Sequence, residues 1–208
     1  MLASRKSLKR GDTLVEVLFA TATFSLVAVG GMAVMNQGAS IAQRSLEISL
    51  VRNEIDSQAE TLRFLNASYV KSYQPAKTYS EATPEGQWSI ISSKASNIAA
   101  GDYSNFAVCP DVTNLRSNSF ILDTHNAKML DFSSGALSKA LTYSKVEYSQ
   151  DVVAAGGAQG VWIEAVKSAS LPSSSTDFID FYIRSCWYSG GQSRPSTIST
   201  IVRLYEPK

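Results

Sequence analysis

Apolar and polar positions are unevenly spread along this chain. Residues 17–35, VLFATATFSLVAVGGMAVM, form one dense apolar run of 19 residues. Adding Thr13, Leu14 and Val15 brings it to the ~20 residues that cross a bilayer as a helix. From residue 36 to 70 the pattern changes. Ile41, Ile48, Ile55 and Leu62 recur every seven residues, with Val51, Ala59 and Leu65 at the three- and four-residue offsets. That is an amphipathic helix with one apolar stripe. No proline interrupts either stretch before Pro75, so one helix is predicted from about residue 13 to about 69, roughly 85 Å long at ~1.5 Å per residue. Gly30, Gly31 and Gly38 weaken it locally; in lipid they also permit close helix contact or mark a stretch that melts.

Residues 71–160 read as loop-rich, with short apolar pieces at 88–91, 106–108, 120–122 and 143–148 and a short helix within 131–141 (DFSSGALSKAL). The end alternates more clearly. Residues 160–167 (GVWIEAVK), 178–188 (FIDFYIRSCWY) and 197–205 (TISTIVRLY) are rich in aromatic and β-branched residues and separated by Gly, Ser and Pro. Three such runs predict an antiparallel meander. The expected fold class is therefore α+β: a long N-terminal helix, membrane-crossing and then amphipathic, packed on a C-terminal antiparallel sheet of four or more strands. A free coiled-coil stalk is the competing use of the stripe.

Charge sharpens this picture. The 208-residue chain has a formal net charge of +1. Arg5, Lys6, Lys9 and Arg10 all precede Gly11 with no acid among them, and the next base is Arg44. Basic residues ahead of an apolar span keep the N-terminus in the cytoplasm, so the body is expected to face outward. Taking away residues 1–11 leaves 15 bases against 18 acids, a mildly acidic remainder that gives no case for nonspecific nucleic-acid binding. Cys109 and Cys186 both follow the apolar run; in an exported segment an even pair is free to form a disulfide, and two buried thiols are the alternative.

One charge stands inside the apolar stretch. Glu16 lies in TLVEVLFA, and a carboxylate in hydrocarbon marks a partner or a function, unless it sits at the membrane surface and is solvated there. The surrounding segment, KRGDTLVEVLFATATFSLVAVGG, resembles the processing site of type IV pilins and pseudopilins. That family carries a short basic leader ending in Gly, a prepilin peptidase cut after it, and a Thr-Leu-x-Glu start with Glu as the fifth mature residue. Here the leader is residues 1–11, the cut falls between Gly11 and Asp12, Thr13 and Leu14 follow, and Glu16 is fifth.

The resemblance implies that Glu16 pairs with the new ammonium of a neighbouring subunit, offsetting an otherwise costly buried charge and setting subunit register. Asp12 departs from the pattern, which has Phe or another apolar, often N-methylated residue there; its carboxylate competes with Glu16 for the amine. The tail CWYSGGQSRPSTISTIVRLYEP is more loosely similar to PilV-like minor pilins.

These likenesses imply a leader (1–11), an apolar transmembrane and filament-core helix (12–36), its amphipathic continuation (37–72) and a β-sheet head (73–208). The implied protein is a minor pilin of a surface filament, made as a single-pass precursor in the cytoplasmic membrane. Its partners are other pilin or pseudopilin subunits, prepilin peptidase, the assembly platform and, before assembly, membrane lipid. A pseudopilin of type II secretion or DNA uptake is the alternative within the family. A signal-anchored exported enzyme or binding protein is the alternative of another class, and an ordinary secretory signal cut near Ala33 is the alternative fate of the apolar run.

Enzymatic chemistry has little support in the sequence. His125 is the only histidine, and in a polar stretch it reads as a surface residue. No metal, cofactor or nucleophile motif is present, and Asp102, Asp111 and Asp123 lack calcium-loop spacing. Asn66-Ala67-Ser68 matches a glycosylation sequon on the predicted helix. The aromatics around Trp187 fit strand packing, with a sugar- or surface-binding platform as the alternative.

Overall fold

A helix that meets no proline and carries Ala, Leu and other strong helix formers through most of its length has little reason to stop. In the computed structural model α1 runs unbroken over Asp12–Ser72. The structure describes residues 12–97, 100, 109–110, 115–130, 145–148, 155–159, 161–167, 177–189 and 192–207. The leader with Gly11, the apolar piece at 106–108 and the expected helix within 131–141 lie outside them. The chain divides into two units between Ser45 and Leu46, each with its own character.

In the first unit, every helical side chain from Thr13 to Ser45 is exposed. In the second, α1 turns one face inward. Val51, Ile55, Ala59, Leu62 and Leu65 are buried, spaced four, four, three and three as successive helical turns require. The expected stripe is thus present from Ile48, which packs partly against the core, onward; Ile41 is 63% exposed and lies outside it. The helix ends where the Tyr79 hydroxyl donates to the Ser72 carbonyl at 2.7 Å, satisfying one of the C-terminal oxygens that a helix leaves open.

A second helix, α2 (Pro84–Lys94), occupies part of the stretch read as loop. Thr83 caps it, its Oγ1 accepting from the Gly86 amide at 3.3 Å, with Pro84 in the first turn and Glu85 favouring the positive helix end. Gly86 is required here by close approach, because a Cβ would collide with the Ser80 carbonyl. Trp88 and Ile91, three apart, point into the core.

The strands are β1 (Ser119–Asp123), β2 (Lys128–Leu130), β3 (Lys145–Tyr148), β4 (Ala155–Gln159), β5 (Val161–Lys167), β6 (Phe178–Trp187) and β7 (Ser196–Tyr205). Five form an antiparallel sheet in the order β2-β1-β5-β6-β7, while β3 and β4 pair separately. The last three are the expected meander, with Phe181 opposite both Ala165 and Val202. β1 joins the sheet's other side, Phe120 opposite Ile163.

One face of β6 (Ile179, Phe181, Ile183, Trp187) meets the α1 stripe and Trp88 in a single apolar core. Phe181 packs against Trp88 and Phe120 at ring separations of 5.6 and 6.4 Å, within the range of favourable aromatic pairs. Each fully buried Leu, Ile or Phe here contributes about 1.5–3 kcal/mol, which is what holds the second half of α1 on the sheet. The α+β class expected from the pattern is the one observed.

Candidate assembly helix and its docked boundary

Of the N-terminal residues that carry the family resemblance, those after Gly11 fall on the first turns of α1. Thr13, Leu14 and Glu16 are helical and exposed, and Asp12 begins the helix. Leu14, Val15, Val17, Leu18, Phe19, Phe24, Leu26, Val27 and Val29 are all exposed as well, distributed on every side of the helix. Among the described residues this is the one helix long and apolar enough to cross a membrane. Glu16 is its sole acidic residue between Thr13 and Leu46.

Three hydroxyls of this stretch are turned back on the helix. The Thr21 hydroxyl donates to the Val17 carbonyl at 3.0 Å, Thr23 to Phe19 at 2.9 Å and Ser25 to Thr21 at 2.8 Å. Hydroxyls bonded to the preceding turn need no water, so these three carry no unmet demand into a dry environment. Nothing lies within 4 Å of where a Cβ would stand on Gly30, Gly31 or Gly38, and the helix passes through all three without a break.

Burial along α1 starts on a carboxylate. Glu47 is 6% exposed, and its Oε2 accepts from the Trp187 indole N–H at 3.1 Å and from the Ser189 hydroxyl at 2.6 Å. Hydrogen bonds to an ionised acceptor are the strong kind, and a buried carboxylate needs them. Two further polar residues tie α1 to the sheet. The Gln58 side-chain amide Nε2 donates to the Leu122 carbonyl of β1 at 2.9 Å. Asn66 Nδ2 donates to the Tyr205 carbonyl at the end of β7 at 3.1 Å. In the sequence nothing singles out Glu47 or Gln58, and Asn66 stands out only as a sequon. The available signal was position: Glu47, Val51, Ile55, Gln58 and Leu62 share one helical face, so two polar residues on that face had to find partners.

Cys109 and Cys186 are joined in a disulfide, the pairing that the sequence left open. Cys186 is fully buried at the end of β6 and packs with Cys109, Trp162 and Leu115. The Cys109 amide donates to the Tyr188 hydroxyl at 3.3 Å. Trp187 is 2% exposed, which fits strand packing and leaves no open indole face for a stacked sugar.

His125 stands in the β1–β2 turn, exposed. There the Asp123 carboxylate accepts from the backbone amides of His125 and Asn126 at 3.0 and 3.2 Å and from Asn126 Nδ2 at 2.8 Å. The Asn126 side chain is the main reason the Asp123 pKa lies below its ordinary value; burial opposes it, and the two backbone amides and the His125 charge add to the lowering. The turn residue Ala127 has φ 48°. This is turn chemistry.

No family model, curated protein or solved structure matches this chain. Its functional reading therefore rests on the residues and their geometry.

Proposed function

We propose that this chain is a type IV pilin-like subunit, cut by a prepilin peptidase between Gly11 and Asp12 and built into a filament through the first half of α1. The observation that carries the reading is the division of one unbroken helix. Its first part is apolar and exposed on all sides, with a lone carboxylate at Glu16; its second part buries a single stripe under an antiparallel sheet. A surface apolar on every side demands a dry environment. A bilayer supplies one before assembly and a bundle of like helices supplies one afterwards.

In this proposal Glu16 is the assembly residue. In a low-dielectric bundle a carboxylate is tolerated when it meets an opposite charge, and the amine freed at Asp12 of a neighbouring subunit is that charge. Thr13 and Leu14 complete the peptidase recognition sequence. The body, carrying the disulfide, faces the oxidising side.

Glu16→Ala tests the proposal. The variant is expected to be exported with its disulfide formed and its body folded, yet to be absent from sheared surface filaments while unaltered protein is present. Filaments that incorporate Glu16→Ala at the normal level sink the idea. N-terminal sequencing of the exported chain is the companion measurement: a first residue of Asp12 is expected, and a first residue near Ala33 means ordinary secretion.

A further inference from the structure

The end of β6 alternates its side chains between two attachments. Cys186 is bonded to Cys109, and the Tyr188 hydroxyl accepts from the Cys109 amide at 3.3 Å. Trp187 and Ser189, the residues between and after, both donate to Glu47 on α1. The ladder with β7 ends at Trp187 opposite Ser196, so Ser189 stands beyond the strand pairing. Its hydroxyl is nevertheless held 2.6 Å from a carboxylate. The links to Cys109 on either side of Trp187 reinforce the last pairs of the ladder and, through Tyr188, reach one residue past its end.

From Thr13 onward Glu47 is also the first buried side chain of α1, and Val51, one turn later, is the first fully buried apolar one. We infer that the Cys109–Cys186 disulfide acts as a redox-controlled clasp on α1. When the bond is closed, Trp187 and Ser189 are fixed as donors and the helix is docked from Glu47. When it is open, Trp187 is held by the ladder and core alone, Ser189 beyond the ladder loses its fixed position, and docking begins one turn later, at Val51. Restraining the donors before they meet their acceptor removes an ordering cost from the contact. Opening is ordinary thiol–disulfide exchange. A dithiol gives two electrons and two protons to the Cys109–Cys186 bond, which becomes two thiols, and the dithiol leaves as its own disulfide. This inference goes beyond the assembly reading and does not depend on it.

The experiment is hydrogen exchange on the full chain in detergent micelles, read at the amides of residues 47–51, with those of residues 62–69 and of β5 as internal references. Four proteins are compared: unaltered, Glu47→Ala, Cys109→Ser/Cys186→Ser, and the combined variant. The expected result in each altered protein is an acceleration at 47–51 about tenfold larger than that of the references, which move only with global stability, and no further gain in that excess on combination, since residues acting through one contact are non-additive. Where the serine pair fails to fold, mild dithiothreitol treatment of the unaltered protein, timed before global opening, replaces it. Retained protection at 47–51 after the disulfide is opened overturns the inference. So does loosening spread equally over the references, or multiplication of the effects of Glu47→Ala and disulfide loss when they are combined.

Discussion

The two parts of α1 are made of similar residues and used in opposite ways. Residues 13–46 carry more apolar side chains and bury none of them; residues 47–72 carry fewer and bury a line of them completely. Each part also holds a carboxylate where apolar neighbours make one costly. Glu47 has its donors within the same chain, whereas Glu16 makes no hydrogen bond or ion pair with another described residue. Apolar content alone therefore does not tell whether a helix folds onto its own chain. Spacing does: a one-sided stripe matches one sheet face, and all-round greasiness matches none.

Leucine truncation is the strongest way to break this comparison. Leu62→Ala is expected to cost about 2–5 kcal/mol of body stability, because Leu62 is 0% exposed, in urea unfolding of the full chain followed by tryptophan fluorescence. Leu26, 76% exposed, should cost the body less than about 0.5 kcal/mol when changed to Ala. Equal losses would mean that the first part of α1 supports the body after all.

Next in size is the covalent tie. Cys109→Ser/Cys186→Ser should lower body stability by about 2–4 kcal/mol, since the bond closes a separation of 77 residues, and the same unfolding curve measures it. The two carboxylates then give a sharper contrast. Trp187→Phe removes the indole donor to Glu47 and should cost about 1–3 kcal/mol, while Glu16→Gln should leave the unfolding midpoint of the body unmoved. A Trp187→Phe protein as stable as its parent would demote Glu47 from a docked residue to a bystander.

The smallest effect belongs to the β1–β2 turn. Because the folded Asp123 pKa lies below its ordinary 3.8, its ionised form stabilises the fold at higher pH. That contribution begins to fall as pH drops past 3.8 and is gone below the folded value. The stability difference between the unaltered protein and Asp123→Ala should therefore be constant at neutral pH and shrink in acid. A difference that grows as the pH falls would reverse the assignment.

Much of this architecture is legible from residue order. The unbroken helix follows from the absence of proline before Pro75, and β5, β6 and β7 from alternation between Gly- and Ser-rich connections. Helix α2 was hidden because its apolar residues, Trp88 and Ile91, are few; the better sign was the Thr83-Pro84-Glu85 start, a capping residue followed by proline and an acid. The β1–β5 pairing was not legible because it joins residues far apart, which no local pattern encodes. The Cys109–Cys186 bond was legible as an allowed pair, but its neighbourhood with Trp187 and Glu47 depends on three segments meeting. At the candidate site, Glu16 stands out by type and context, whereas Glu47 looks like any other acid on an amphipathic helix until its face is worked out.

The hydroxyls of Thr21, Thr23 and Ser25 have one more consequence. Each is already engaged by its own helix, so this rod owes its surroundings no hydrogen-bonding partner at those positions. Dry surroundings on any side leave those three bonds intact, so none of the three hydroxyls sets a hydrogen-bonding cost against them.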